Sequence, residues 1–217
     1  MPDPTKDRNQ RRLLLMGAVL LVAVLIGLAP LLGRWLEAPA SLLALGAVYW
    51  SGCWFLALVA GDRSSLAALY RTRINRRPVE LVLTWLPVAA TLLVGFLPSV
   101  SRVPLPVLAA VFGVSLVNGV TEELVWRGAF VSRFPGSLKL GFLFPLIWFA
   151  ALHLALALVP GVRYEGGIPA LLGGSAFFGV CWGWTAWRTH DLRSVTLAHV
   201  LTNTFAFTQL SLGNWVA

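Results

Sequence analysis

The chain has 217 residues, of which 58% are hydrophobic and only 12% charged, and it carries a net charge of +8. A soluble domain carries about 25% charged residues, so a water-exposed globule is excluded and the apolar surplus belongs in a bilayer. The positive balance does not call for nucleic acid, because the basic residues are distributed along the chain as a membrane-topology signal.

Apolar stretches of about 20 residues read as membrane spans, and each must be helical because an isolated strand leaves its backbone unsatisfied in lipid. Seven are predicted, at 13–33, 41–60, 80–98, 104–126, 140–160, 168–187 and 192–212. The expected fold is all-α, a polytopic membrane helix bundle of about seven transmembrane helices, with an eighth allowed. Residues 1–12 form a basic N-terminus. Ala38-Pro39-Ala40 resembles a cleavage site, but the apolar core before it is about 20 residues, longer than a signal-peptide h-region of roughly 7–15. The first span is therefore read as an uncleaved anchor. Residues 61–79 are expected to hold a short basic amphipathic helix on the membrane surface. Gly179 and Gly183, in the sixth span, form a GxxxG pair that allows close helix approach. Cys53 and Cys181 lie within spans and read as small buried hydrophobes. Trp35, Trp50, Trp187 and Trp215 fall near predicted span ends and read as interfacial anchors.

Orientation follows from the loops. Lys6, Arg8, Arg11, Arg12, Arg63, Arg71, Arg73, Arg76, Arg77, Arg127, Arg133, Lys139, Arg188 and Arg193 fall on one side, fourteen in all. Only Arg34, Arg102 and Arg163 fall on the other. The expectation is an integral protein of a bacterial inner membrane, with its N-terminus in the cytoplasm.

Charges within spans cost about 2.5–3.5 kcal/mol on insertion scales, so the polar exceptions are informative. Asp3, Asp7, Glu37, Asp62, Glu80, Glu165 and Asp191 fit loops or span ends, leaving Glu122 and Glu123 in "NGVTEELVWRG". His190 belongs to a loop, leaving His153 and His199, with Asn203 one turn past His199. Glu123 and Arg127 are four apart and can pair along one helix face. Glu122 is rotated about 100° away and is expected to be the carboxylate left for other work. Phe149 shares a face with His153. A free carboxylate with an imidazole can hold and deprotonate water, and a second imidazole with a carboxamide can donate to an oxyanion. Those groups suffice for peptide hydrolysis without a nucleophilic side chain.

Glu122 to Arg127 reads EExxxR, Phe149 to His153 reads FxxxH, and His199 to Asn203 reads HxxxN. In this order on successive apolar segments, the three motifs resemble those of the CPBP family of intramembrane glutamic proteases, which includes the CAAX prenyl endopeptidases and the bacteriocin-processing or Abi proteins. The resemblance covers roughly 104–212. It implies an active site inside the bundle, with Glu122 and His153 activating water, His199 and Asn203 forming the oxyanion site, and Glu123, Arg127 and Phe149 in support. It implies a division into N-terminal transmembrane helices at 13–103 and a catalytic core at 104–217. No cofactor and no metal are expected. The expected partners are the lipid bilayer and a membrane-associated peptide or protein substrate, such as a leader peptide or a protein with a hydrophobic C-terminal tail. Two other classes use the same residues. One is a zinc protease with Glu122, His153 and His199 as ligands; the other is a proton-coupled transporter or a non-catalytic scaffold.

Overall fold

The computed structural model describes residues 4–72, 74 and 77–216. Asp3, Arg73 and Arg76, assigned above to loops or to the basic side, lie outside the described residues. Eight helices, and no strands, make up the described chain: α1 (Pro4–Leu32), α2 (Ala38–Val59), α3 (Arg63–Arg71), α4 (Pro78–Arg102), α5 (Leu105–Arg133), α6 (Lys139–Ala157), α7 (Gly167–Thr189) and α8 (Leu192–Asn214). Among the described residues, α1, α2, α4, α5, α6 and α7 are long and apolar enough to cross a membrane. Their outward surface is apolar, as at Met16, Leu20, Phe55, Leu58, Leu93 and Val94, which suits lipid contact.

The eighth helix is long enough to cross but too polar to qualify by composition alone. Its neighbours make that tolerable. Of its 23 residues only Arg193, Leu197 and Gly213 are exposed. Its hydroxyls donate back along the helix, Thr204 to the Val200 carbonyl at 2.8 Å and Thr208 to that of Thr204 at 2.7 Å. Those hydroxyls are thus satisfied without water. At one end Arg193 donates to the Thr72 carbonyl. At the other, Asn214 Nδ2 donates to the Arg163 carbonyl at 2.9 Å. The helix therefore runs the full height of the bundle, from the loop after α3 to the loop after α6.

The end of the bundle that carries α3 also gathers the basic loops. Arg133 donates to Asp7 Oδ1 at 2.9 Å, to Gln10 Oε1 at 2.7 Å and to the Ala60 carbonyl at 2.7 Å, tying α5, α1 and the α2 terminus together. The basic surface helix foreseen within 61–79 is α3, which turns Leu66 and Leu69 inward. Asp62 caps it, its carboxylate accepting from Ser64 N and Ser64 Oγ at 3.1 and 2.7 Å and from Ser65 Oγ at 2.8 Å. Those hydrogen bonds hold the Asp62 carboxyl below the usual carboxylate range.

Three expectations need correction. Helix α5 does not end near 126 but runs to Arg133, so Arg127 is not a loop charge; it is buried. The extra length places Glu122 eleven residues inside the helix end, about 16 Å at ~1.5 Å per residue. Trp50 lies in the middle of α2, partly buried against the core, and does not sit at an interface. Trp187, near the end of α7 as expected, packs on a buried cluster. Trp35 at the end of α1 is 86% exposed, as an interfacial ring should be. The main apolar core joins α1 and α2 to α5 and α6 as one body, with Leu25, Cys53, Trp126, Phe130 and Phe149 among its buried residues.

Candidate active site

At Glu123 the α-helical hydrogen bonding of α5 widens into π turns that continue to Ala129. Such insertions are frequent at functional sites. The ion pair expected from the i,i+4 spacing is present, with Arg127 Nη1 3.0 Å from Glu123 Oε1 and both side chains at most 3% exposed. The Arg127 guanidinium also lies over Phe149, 4.2 Å from the ring centroid, and near Trp182 at 5.9 Å. Two aromatic faces thus shield a buried cation that water cannot reach.

His199 stands between the two glutamates. Its Nδ1 is 2.7 Å from Glu123 Oε1 and its Nε2 is 3.1 Å from Glu122 Oε2. Glu122 therefore has a partner, contrary to its expected role as the acid left over. The reason lies in helix crossing. At Gly119 a Cβ would sit 2.8 Å from Val200 Cγ2 and 3.1 Å from the Val200 amide nitrogen, so only glycine fits. That approach brings α8 close enough for one imidazole to reach two carboxylates on successive α5 residues. Each contact needs one proton, so the trio is satisfied either by an imidazolium between two carboxylates or by a neutral ring with one carboxyl protonated. Trp182 of α7 stacks on the ring, 4.4 Å between centroids and 27° between planes.

His153 Nδ1 is 2.9 Å from the Phe149 carbonyl oxygen. A carbonyl only accepts, so Nδ1 carries the hydrogen and the Nε2 lone pair is free in the neutral ring. The Phe149 ring packs edge-on against both histidines, 5.0 Å from His153 and 6.2 Å from His199. Gly179 makes room for that ring; a Cβ there would lie 3.1 Å from Phe149 Cδ1. The GxxxG pair of the sixth span thus seats α6 against α7, with Gly183 facing Phe142. Asn203 is buried one turn beyond His199, and its Nδ2 has no hydrogen-bond partner.

Several contributors went unread in the sequence. Trp126 Nε1 donates to the Tyr49 hydroxyl at 2.6 Å, and Trp50 Nε1 donates to Asn118 Oδ1 at 2.8 Å. Asn118 and Trp126 stand one turn before and after Glu122, a spacing that signals a shared face. Tyr49 and Trp182 carry no such signal, because only packing brings α2 and α7 to the site. Among the described residues, no three His, Cys, Asp or Glu side chains form a group able to hold a metal ion. In the rival zinc set, both ring nitrogens of His199 are turned to carboxylates.

With one arginine-paired glutamate, one histidine bridging both acids and an orphan amide a turn away, the constellation can be set beside known proteins. Residues 104–205 match the family model described as Type II CAAX prenyl endopeptidase Rce1-like. That segment is similar to the Rce1-like family. It contains Glu122, Glu123, Arg127, Phe149, His153, His199 and Asn203, and excludes Tyr49 and all of α1 to α4. No curated protein and no solved structure matches the chain. The Rce1-like segment and the apolar helices together support an integral membrane endopeptidase of the CAAX type.

Proposed function

We propose that the protein is a glutamic-type intramembrane endopeptidase that hydrolyses a peptide bond near the membrane, without a metal or a covalent intermediate. Glu122 takes a proton from a water molecule that also donates to His153 Nε2. The water oxygen bonds to the scissile carbonyl carbon, and Glu122 returns its proton to the amine nitrogen as the C–N bond breaks. The products are a free carboxyl and a free amine. Asn203 Nδ2 donates to the oxyanion. As Glu122 becomes neutral its hold on the His199 Nε2–H weakens, and that donor follows the charge to the same oxygen. Each such donor is worth roughly 10²–10³ in rate. Glu123, Arg127 and the Phe149 ring keep His199 and the helix in place.

The observation that carries this reading is His199 clamped between Glu122 and Glu123 beside an orphan Asn203 amide. The substrate is a membrane-associated peptide or protein, with a leader peptide or a hydrophobic C-terminal tail as the fitting classes. The end bearing the basic loops is read as cytoplasmic, in a bacterial inner membrane. The test is to express wild type and Glu122→Gln in cells and compare membrane-anchored peptides by mass spectrometry. Uncleaved tails should accumulate in the variant. Rates on an identified tail should fall by about 10²–10⁴ for Glu122→Gln and by roughly 10²–10³ for Asn203→Ala, with activity unchanged by exhaustive chelation. Identical peptide profiles would end the proteolytic reading, and loss of activity on chelation would end the metal-free one.

A further inference from the structure

Glu122 is flanked one turn to either side by Asn118 and Trp126, and both are fastened to α2. Trp50 donates to Asn118 at 2.8 Å, and Trp126 donates to Tyr49 at 2.6 Å. Helix α2 is therefore stitched to α5 immediately before and after the glutamate. The direction of the second bond matters. An indole N–H only donates, so the Tyr49 oxygen is the acceptor and its own proton must find another partner. Tyr49 is 5% exposed, which leaves little room for water. The acceptors to choose between are Glu122, on the α5 turn between the two fastened residues, and the buried Cys53 one turn along α2; neither is in a closed hydrogen bond with the phenol. A carboxylate is a far stronger acceptor than a thiol sulfur, and hydrogen bonds to charge are roughly twice as strong as neutral ones. The bonding order that gives the phenol proton its better acceptor is then Trp126 to Tyr49 to Glu122.

We propose that Tyr49 is a positioning residue for Glu122, its phenol anchoring the carboxylate alongside His199, so that α2, outside the Rce1-like segment, completes the active site. Without this bond Glu122 is held only by His199, the group that must release it during the reaction. A second anchor keeps the base aimed at water through that exchange. The N-terminal helices thereby gain a role beyond filling the bundle. The inference rests on Glu122 as the general base, but its structural half can be tested apart from catalysis.

The full-length protein in nanodiscs is compared as wild type, Glu122→Gln and Tyr49→Phe by infrared difference spectroscopy. Carboxyl bands lost in Glu122→Gln belong to that residue. In Tyr49→Phe those bands should shift, and on a cleavable tail kcat should fall about 10- to 100-fold with KM changed less than about threefold. Trp126→Phe keeps the phenol but removes the donor that orients it, so it should give a smaller shift in the same bands and a smaller loss of kcat. It also serves as the readout if Tyr49→Phe does not fold. Unmoved bands, or a Tyr49→Phe enzyme with wild-type kcat, would overturn the proposal. If Glu122→Gln itself cleaves normally, the catalytic reading fails while the band comparison still decides the Tyr49 contact.

Discussion

Helices α1 and α2 meet through Gly17 and Gly52, and α5 and α8 meet through Gly119, but what faces each glycine differs. A Cβ at Gly52 would meet the Leu21 Cδ1 methyl at 2.6 Å, and one at Gly17 would meet Leu56 Cδ2 at 2.4 Å. Both obstacles are ends of flexible side chains, which can rotate away. At Gly119 the obstacles include the Val200 amide nitrogen at 3.1 Å and Cα at 3.2 Å. Backbone in a buried helix cannot rotate away. The α1–α2 seam is apolar and can repack, whereas the α5–α8 seam holds Glu122, Glu123 and His199 at fixed separations. A membrane bundle can therefore combine a forgiving scaffold with an interface that admits little change.

The strongest way to break this contrast is to remove the Arg127 cation. Breaking a buried pair typically costs about 3–5 kcal/mol, because the remaining charge is left without compensation. Arg127→Met should lower equilibrium unfolding stability in mixed micelles by that order, and adding Glu123→Gln should recover part of it. A single variant as stable as wild type would show that the polar seam is not the demanding one.

The next effect sharpens the comparison directly. Gly119→Ala should separate α5 from α8 by a few tenths of an ångström to an ångström and reduce cleavage by up to about 10²-fold, since misplacement on that scale is costly in active sites. Gly52→Ala should leave the rate within about twofold. Equal losses in the two variants would remove the distinction between the seams.

The smallest effect lies at the basic end. Asp62 caps α3, and Asp62→Ala should cost about 1 kcal/mol locally. Its carboxyl is held below the usual range in the folded state by the Ser64 and Ser65 hydrogen bonds. A depressed folded-state pKa means the contribution is fully present above the unfolded value of about 3.9 and is lost as pH falls through the folded value. Hydrogen exchange across Arg63–Arg71, corrected for intrinsic rate, should show wild-type protection at pH 6 and approach that of Asp62→Ala only well below pH 4. Protection that declines already near neutrality would contradict the capping role.

Much of the outline could be read without coordinates. The seven long helices lie where the apolar runs place them, and α3 falls within the 61–79 stretch expected to hold a short basic amphipathic helix. The Glu123–Arg127 pair follows from one turn of helix. The end of α5 is not legible in the sequence, because Arg127, Gly128 and Arg133 look like a loop in composition. The charge of Arg127 is in fact hidden under Phe149 and Trp182, residues distant in sequence. Trp50 looks like an interfacial ring in the sequence for the same reason, since its partner Asn118 is 68 positions away.

Amphipathic runs, charge asymmetry between loops and i,i+4 neighbours depend on a few consecutive residues and the repeat of a helix, so the chain alone determined the all-helical membrane architecture and that Glu122, Glu123, His153 and His199 belong to its spans. The partners of those groups came only with tertiary structure. His199 lies 76 positions from Glu123 and Trp126 lies 77 from Tyr49. Whether such pairs touch is decided by where helices cross, and here the missing side chain of Gly119 decides how closely α5 and α8 do so.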